Sequence, residues 1–294
     1  MAWLPPRGRG TKPPRPEHSR LGTPSPEPEP AITLGQAALL GAVQGLTEFV
    51  PVSSSAHLNF VHTRLGQGRD LNFDVLLSAG TTLASLVYFR REIHRILTAP
   101  DGRRLRNLIL LSGVPALVLG YFIHRYEEKP PLSEPWFNGA MLAGAGAVMW
   151  WADARSQQDR NLDEITSLDA LVVGGAQALA LVPGVSRSGA TLTAGRLLGL
   201  NRRDAAQFAF LISLPVNLAA VAHELPRMRA ANASPAAVAT GITASAASGF
   251  WSIGFLLHYL RTKDTAPFAA WRLAAGSLVL LFSFFHHLER SSRS

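Results

Sequence analysis

Between Gln44 and His57 the chain reads QGLTEFVPVSSSAH, and between Pro183 and Thr191 it reads PGVSRSGAT. Both stretches are polar islands inside strongly apolar sequence. An ionisable side chain at membrane depth costs roughly 2.5–3.5 kcal/mol on insertion scales, so such groups are usually kept for function. Gln44 and Glu48, at i and i+4, share one face of a helix. Ser54 and His57, at i and i+3, share another if helix resumes after Pro51. Together the islands supply a carboxylate, hydroxyls, an imidazole and a guanidinium.

Arg187 stays charged and binds phosphate bidentately. Gly184 and Gly189 free backbone N–H groups to approach an anion, and a helix starting near Gly189 would point its positive end there. Glu48 can hold a hard divalent cation that bridges phosphate oxygens. Ser54 is the candidate nucleophile and His57 the group that manages its proton, with direct attack by water left open. Gln44, Ser53, Ser55, Ser186, Ser188 and Gly189 are the candidate substrate-binding residues around them. This set suits phosphoryl transfer from an anionic substrate within a membrane. Blander roles are expected elsewhere. Ser53 and Ser55 equally suit helix packing, and Gln44 equally suits backbone capping. Gln177, with Leu181 where an acidic neighbour would stand, reads as structural. Asp74 reads as an interfacial cap, and His223 and Glu224 as solvated residues of an external loop.

The elements that must carry these groups are membrane spans. Of 294 residues 47% are hydrophobic and only 16% charged, and the apolar residues fall in long runs. Cysteine is absent, which excludes a disulfide framework, a thiolate nucleophile and a Cys-ligated metal. The net charge of +8 comes mainly from arginines in short connecting segments, a pattern that sets topology and does not call for nucleic acid. Residues 1–30, rich in Pro, Gly and charge, read as a disordered tail without the apolar core of a signal peptide. Residues 31–290 read as one polytopic membrane domain.

Apolar segments lie near 31–50, 73–89, 107–124, 136–152, 168–200, 207–222, 236–260 and 268–288. The stretches 31–65 and 168–200 are each interrupted by Pro and a Ser cluster. Broken helices are tolerated at depth where they line a protein-enclosed cavity. Segment 90–106, with Arg90, Arg91, Arg95, Arg103, Arg104 and Arg106, is the best cytoplasmic loop. Counting forward puts 125–135 outside, 153–167 and 201–204 inside, and the C-terminus outside. Both ends of 168–200 are then inside, so that segment is a re-entrant hairpin. A shift of 133 maps Gln44 to Gln177, Val52 to Val185, Ser53 to Ser186 and Ser55 to Ser188. A shift of 135 aligns 73–87 with 208–222. Two repeats follow, about 31–152 and 168–288, each one hairpin plus about three spans. An odd number of spans inverts the second copy, and inverted repeats with broken helices place the site where the tips meet, near the midplane.

These residues resemble the undecaprenyl-diphosphatase, or bacitracin resistance, family. Its first pattern is Glu or Gln, three residues, Glu, then PVSSxxH, matched here from Gln44 to His57; its second, PGxSRSGAT, is matched from Pro183 to Thr191. The similarity spans about 32–288. It implies an all-α integral membrane phosphatase of two interdigitated inverted repeats. The implied reaction is hydrolysis of undecaprenyl diphosphate to undecaprenyl phosphate and inorganic phosphate on the external face of the bacterial plasma membrane. That reaction recycles the lipid carrier of cell-wall synthesis and protects against bacitracin. The resemblance implies a divalent cation, Mg²⁺ or Ca²⁺, at Glu48, and functional positions at Glu48, Ser54, His57, Ser186 and Arg187. The first acidic position of the pattern, often Glu, is Gln44 here, and Ser78 stands near a position where many members carry Gln. The expected partners are the lipid diphosphate and the bilayer, with a homodimer left open.

Two other readings compete. Inverted repeats with broken helices also build transporters, so Arg187 could serve a carrier for a lipid phosphate. A structural scaffold leaves Glu48 and Arg187 unexplained. The PAP2 type of lipid phosphatase is excluded, because no His follows Arg187 until His223.

Overall fold

The computed structural model describes residues 31–66, 70–123, 134–157, 160–224 and 233–291. The expected tail at 1–30 and most of the expected external loop at 125–135 lie outside the described residues. Among those residues the elements are helical: α1 (Leu34–Phe49), α2 (Ser54–Arg64), α3 (Leu71–Tyr88), α4 (Arg90–Thr98), α5 (Gly102–Ile123), α6 (Pro135–Arg155), α7 (Ser167–Leu179), α8 (Arg187–Leu197), α9 (Arg202–Glu224), α10 (Pro235–Tyr259) and α11 (Ala266–Ser291).

The two interrupted segments form helical hairpins, α1–α2 and α7–α8. Each inbound helix starts at a threonine capping box, Thr33 with Gln36 and Thr166 with Asp169. Helix α1 stops at Val50, whose extended backbone is what a following proline favours. The outbound helices start after Ser53 (φ 73°) and Ser186 (φ 66°), the two non-glycine residues with positive φ among the described residues. They lie 133 positions apart, the same spacing that relates the two serine clusters, and share a positive-φ backbone.

Helix α7 has 13 residues, about 20 Å, too short for a hydrocarbon core of about 30 Å. Its hairpin returns to the end it came from. The Arg160 N–H donates to Gly199 O at 3.1 Å, and the Asn201 N–H donates to Arg160 O at 2.9 Å. The segment 168–200 thus folds as a hairpin whose two ends meet.

The segments expected inside gather at that same end. Arg104 donates to Ile165 O, and the Leu162 N–H to Asp204 Oδ2 at 2.9 Å. Asp153, at the end of α6, accepts from Arg196 Nε at 2.6 Å, Arg202 Nε at 2.9 Å and the Thr265 N–H at 3.0 Å. At the start of α1, by contrast, Ile32 pairs with Ala233, just before α10. One expectation changes: 90–106 is no loop. It folds as α4 and the first turn of α5, because Ile96 is buried and Ile93 packs on the core while Arg90, Arg91 and Arg95 face out.

Four helices are long and apolar enough to cross a membrane among the described residues: α3, α9, α10 and α11. Two of the six expected spans, α5 and α6, fall outside that set. Their 22 and 21 residues are long enough, but α6 is rich in Gly and Ala and carries Asn138, and the described part of α5 opens with Arg103, Arg104 and Arg106. The exterior is apolar, as a bilayer requires, with Leu117, Trp151, Trp251 and Phe282 all at least 49% exposed.

The hairpins are gripped by helices from the opposite half of the chain. Helix α1 packs along α10, and α7 along α5. A Cβ on Gly41 would overlap the Gly241 carbonyl of α10, and one on Gly174 would overlap the Ser112 carbonyl of α5. Gly41 and Gly174 are again 133 apart. Small residues at these crossings let backbones approach closely, which is how helices associate when lipid removes the hydrophobic drive.

Candidate active site

The hairpin tips meet around a cavity of about 340 Å³. Its walls include Glu48, Ser54, Ser55, Gln177, Ser186 and Arg187. Both polar islands therefore line one space.

Glu48, on the last turn of α1, is the hub. Its Oε2 accepts from Ser54 Oγ at 2.8 Å and from Gln44 Nε2 at 3.2 Å. Its Oε1 accepts from Arg187 Nη2, forming an ion pair between the hairpins. The second arm of Arg187 donates to Asn217 Oδ1 on α9. Gln44 Nε2 also reaches Ser78 Oγ on α3 at 3.2 Å. Ser53 and Ser55 pair through their hydroxyls at 3.3 Å, and Ser186 and Ser188 do the same at 3.4 Å. Ser188 Oγ lies 3.4 Å from Val50 O, a further link across the tips.

Two expectations take a different form. His57 is not placed on Ser54. Its Nδ1 is 2.8 Å from Ser53 O, and its Nε2 accepts from Trp271 Nε1 at 3.2 Å, with the two rings stacked. An acceptor Nε2 puts the ring proton on Nδ1, so His57 donates to Ser53 O and holds the turn at positive φ. The Ser54 hydroxyl donates instead to Glu48 Oε2. The Gly189 N–H is likewise not open to an anion, since it donates to the N-cap Ser186 Oγ at 3.3 Å. Gly189 lacks a Cβ because Arg272 Nη1 occupies that space. Gly184 is set by conformation and space: φ is +91°, and a Cβ would overlap Asn138 O of α6.

Four residues were not singled out by sequence. Asn217 has a readable signal, since the shift of 135 places it beside Thr82 as a polar residue within an apolar span. Trp271 has none. Arg272 is fully buried in α11, and Nη2 donates to Val185 O at 2.6 Å and, more weakly, to Gly184 O at 3.4 Å. The membrane-depth rule that marks Arg187 applies equally to Arg272. His62, on α2, is also buried and bonds Asp74 Oδ1 at 3.0 Å, so Asp74 ties α2 to α3.

Among the described residues no three His, Cys, Asp or Glu side chains cluster as metal ligands. The donor set nevertheless fits a hard cation that arrives with phosphates. Gln44 Oε1 is buried with no hydrogen-bond partner, one helical turn from the Glu48 carboxylate. Mg²⁺ is commonly held by one or two carboxylates plus substrate phosphates and water.

The protein family described as Bacitracin resistance protein BacA matches residues 37–278. Similar chains include the undecaprenyl-diphosphatase of Anaeromyxobacter dehalogenans strain 2CP-C, 41% identical over 84% of this chain and 91% of its own. That of Pelotomaculum thermopropionicum is 39% identical over 86% and 97%, and that of Pelobacter propionicus 41% over 85% and 97%. The matched span holds both hairpin turns and every residue of the Glu48–Arg187 network, and on this basis the chain belongs to the BacA bacitracin-resistance family.

Proposed function

We propose that the protein hydrolyses undecaprenyl diphosphate to undecaprenyl phosphate and inorganic phosphate, the reaction in the name its relatives carry. One observation carries the mechanism: Glu48 holds the Ser54 hydroxyl and the Arg187 guanidinium at once, inside a cavity between two membrane hairpins. In the resting arrangement Arg187 is neutralised by Glu48. A diphosphate entering the cavity offers the planar Arg187 guanidinium a bidentate anionic partner and draws it off the carboxylate. Glu48 is then free to accept a proton.

Ser54 Oγ attacks the terminal phosphorus while its proton passes to Glu48 Oε2 over the 2.8 Å hydrogen bond. The anhydride P–O bond breaks, and its electron pair leaves on the bridging oxygen of undecaprenyl phosphate. Water then attacks the phosphoserine, the Ser54 O–P bond breaks, and Glu48 returns the proton to Ser54. Asn217 and the Ser186–Ser188 pair hold Arg187 and the turn beside it. A divalent cation bound through Glu48 and Gln44 Oε1 would neutralise the phosphate oxygens.

Hairpin one starts at the Ile32–Ala233 end and hairpin two at the arginine-rich end, which supports two inverted repeats. With the arginine-rich end cytoplasmic, the protein sits in the bacterial plasma membrane and its site takes substrate from the external side. Phosphate release from a short-chain prenyl diphosphate, by purified protein in detergent, tests the reading. Release should require a divalent cation and be lost with EDTA and in Arg187→Ala. No release from well-folded protein would move the assignment to a lipid-phosphate carrier.

A further inference from the structure

Gln177, on α7, is 4% exposed and lines the cavity with Glu48, Ser54 and Arg187. Neither its Oε1 nor its Nε2 has a hydrogen-bond partner in the protein. Buried amides are nearly always satisfied, and one left open on both atoms is a poor structural element. A leucine of similar size would fill the space without burying polar atoms. The amide is thus explained only by a group from outside the chain.

The repeat says what kind of group. Gln44, the counterpart of Gln177 in hairpin one, spends its Nε2 on Glu48 and Ser78. In hairpin two the position matching Glu48 is Leu181, so Gln177 has no carboxylate to bond. Hairpin one thereby carries the acid, and hairpin two carries the guanidinium of Arg187 and a neutral, unspent amide. A neutral donor–acceptor beside a cation suits a partly protonated phosphate, which presents both P–O⁻ and P–OH. A carboxylate there would repel it.

Resting on the phosphatase reading, we propose that Gln177 is a direct substrate contact. Its Nε2 donates to a non-bridging oxygen of the terminal phosphate, and its Oε1 accepts from the P–OH of the same group.

The test compares full-length wild type, Gln177→Leu and Gln177→Glu in detergent with a short-chain prenyl diphosphate as substrate and inorganic pyrophosphate as competitor. Gln177→Leu should melt at or above the wild-type temperature, yet raise KM and the pyrophosphate inhibition constant at least tenfold, with a smaller change in kcat. Gln177→Glu, isosteric but anionic, should raise both further. Wild-type KM and inhibition in the Leu variant would overturn the inference and leave the amide to water. So would a Leu variant several degrees less stable, since the amide would then be holding the fold. If wild type releases no phosphate, the phosphatase reading fails on its own. Protection from thermal unfolding by pyrophosphate then judges Gln177: weaker protection of the Leu variant supports the contact, and equal or absent protection in both sinks it.

Discussion

Glu48 and Arg187, 139 positions apart in the chain, form an ion pair that joins the tips of two hairpins. Each lies just beside its helix break, at the end of α1 and the start of α8, so pairing them fixes both turns relative to each other. Arg187 is a quarter exposed and Glu48 about half as much, so the pair is shielded but reachable from the cavity.

Removing either partner leaves the other charge facing a poorly solvated cavity. Glu48→Gln and Arg187→Ala should each cost about 1–3 kcal/mol of stability, and the double variant Glu48→Gln with Arg187→Ala should cost less than the sum. All three should lower phosphate release roughly 10²–10³-fold or more. Thermal melts and turnover on the same preparations check this; additive stability losses would mean the pair is not coupled.

Ser54→Ala should abolish turnover, by roughly 10⁴-fold, with the melting temperature nearly unchanged. Acid quenching of wild type during turnover should trap phosphate on Ser54. Full activity in Ser54→Ala would pass the attack to water.

His57 bonds the Ser53 carbonyl and Trp271, while Ser54 bonds Glu48. Asn can reproduce the Nδ1 donor without any titrating group near neutral pH. His57→Asn should therefore retain at least ten times the turnover of His57→Ala, with an unchanged pH profile. Equal loss in both variants would restore the imidazole as the proton-transfer group.

Arg272 clamps the second turn through the Val185 and Gly184 carbonyls from inside α11. A displacement of about 1 Å at a catalytic group can cost 10²-fold in rate. Arg272→Met should lower kcat by about that factor, and Arg272→Lys, which keeps one donor, should recover part of it. Wild-type kcat in Arg272→Met would show that the turn holds its shape without the clamp.

Asp153 binds two arginines and the residue before α11, and does not line the cavity. It is 4% exposed, and Arg196 is 1% exposed. Asp153→Ala leaves a buried guanidinium without its counter-ion, which costs about 3–5 kcal/mol. A large fall in melting temperature, with near-normal turnover at low temperature, is the expected pattern for a group that closes the arginine-rich end.

The helical membrane class, the two interrupted hairpins and the gathering of arginine-bearing segments at one end were all legible in the sequence. These follow from local properties: apolar length, proline and serine breaks, and charge placement. The residues around the cavity were legible for the same reason, since a carboxylate or guanidinium within apolar sequence is costly wherever the chain later takes it. Partners were another matter. A serine, a glutamate and a histidine close in sequence admit several hydrogen-bond pairings, and packing alone put Ser54 on Glu48 and His57 between Ser53 and Trp271. Gln177 reads as structural beside Leu181, and becomes a cavity residue only when α7 is brought against α1 and α8. Arg272 sits 85 residues beyond Arg187, and nothing local says that its guanidinium ends on the hairpin turn. The sequence determined which groups are present at membrane depth; the tertiary structure decided which of them are already satisfied and which wait for a ligand, because that depends on neighbours distant in the chain.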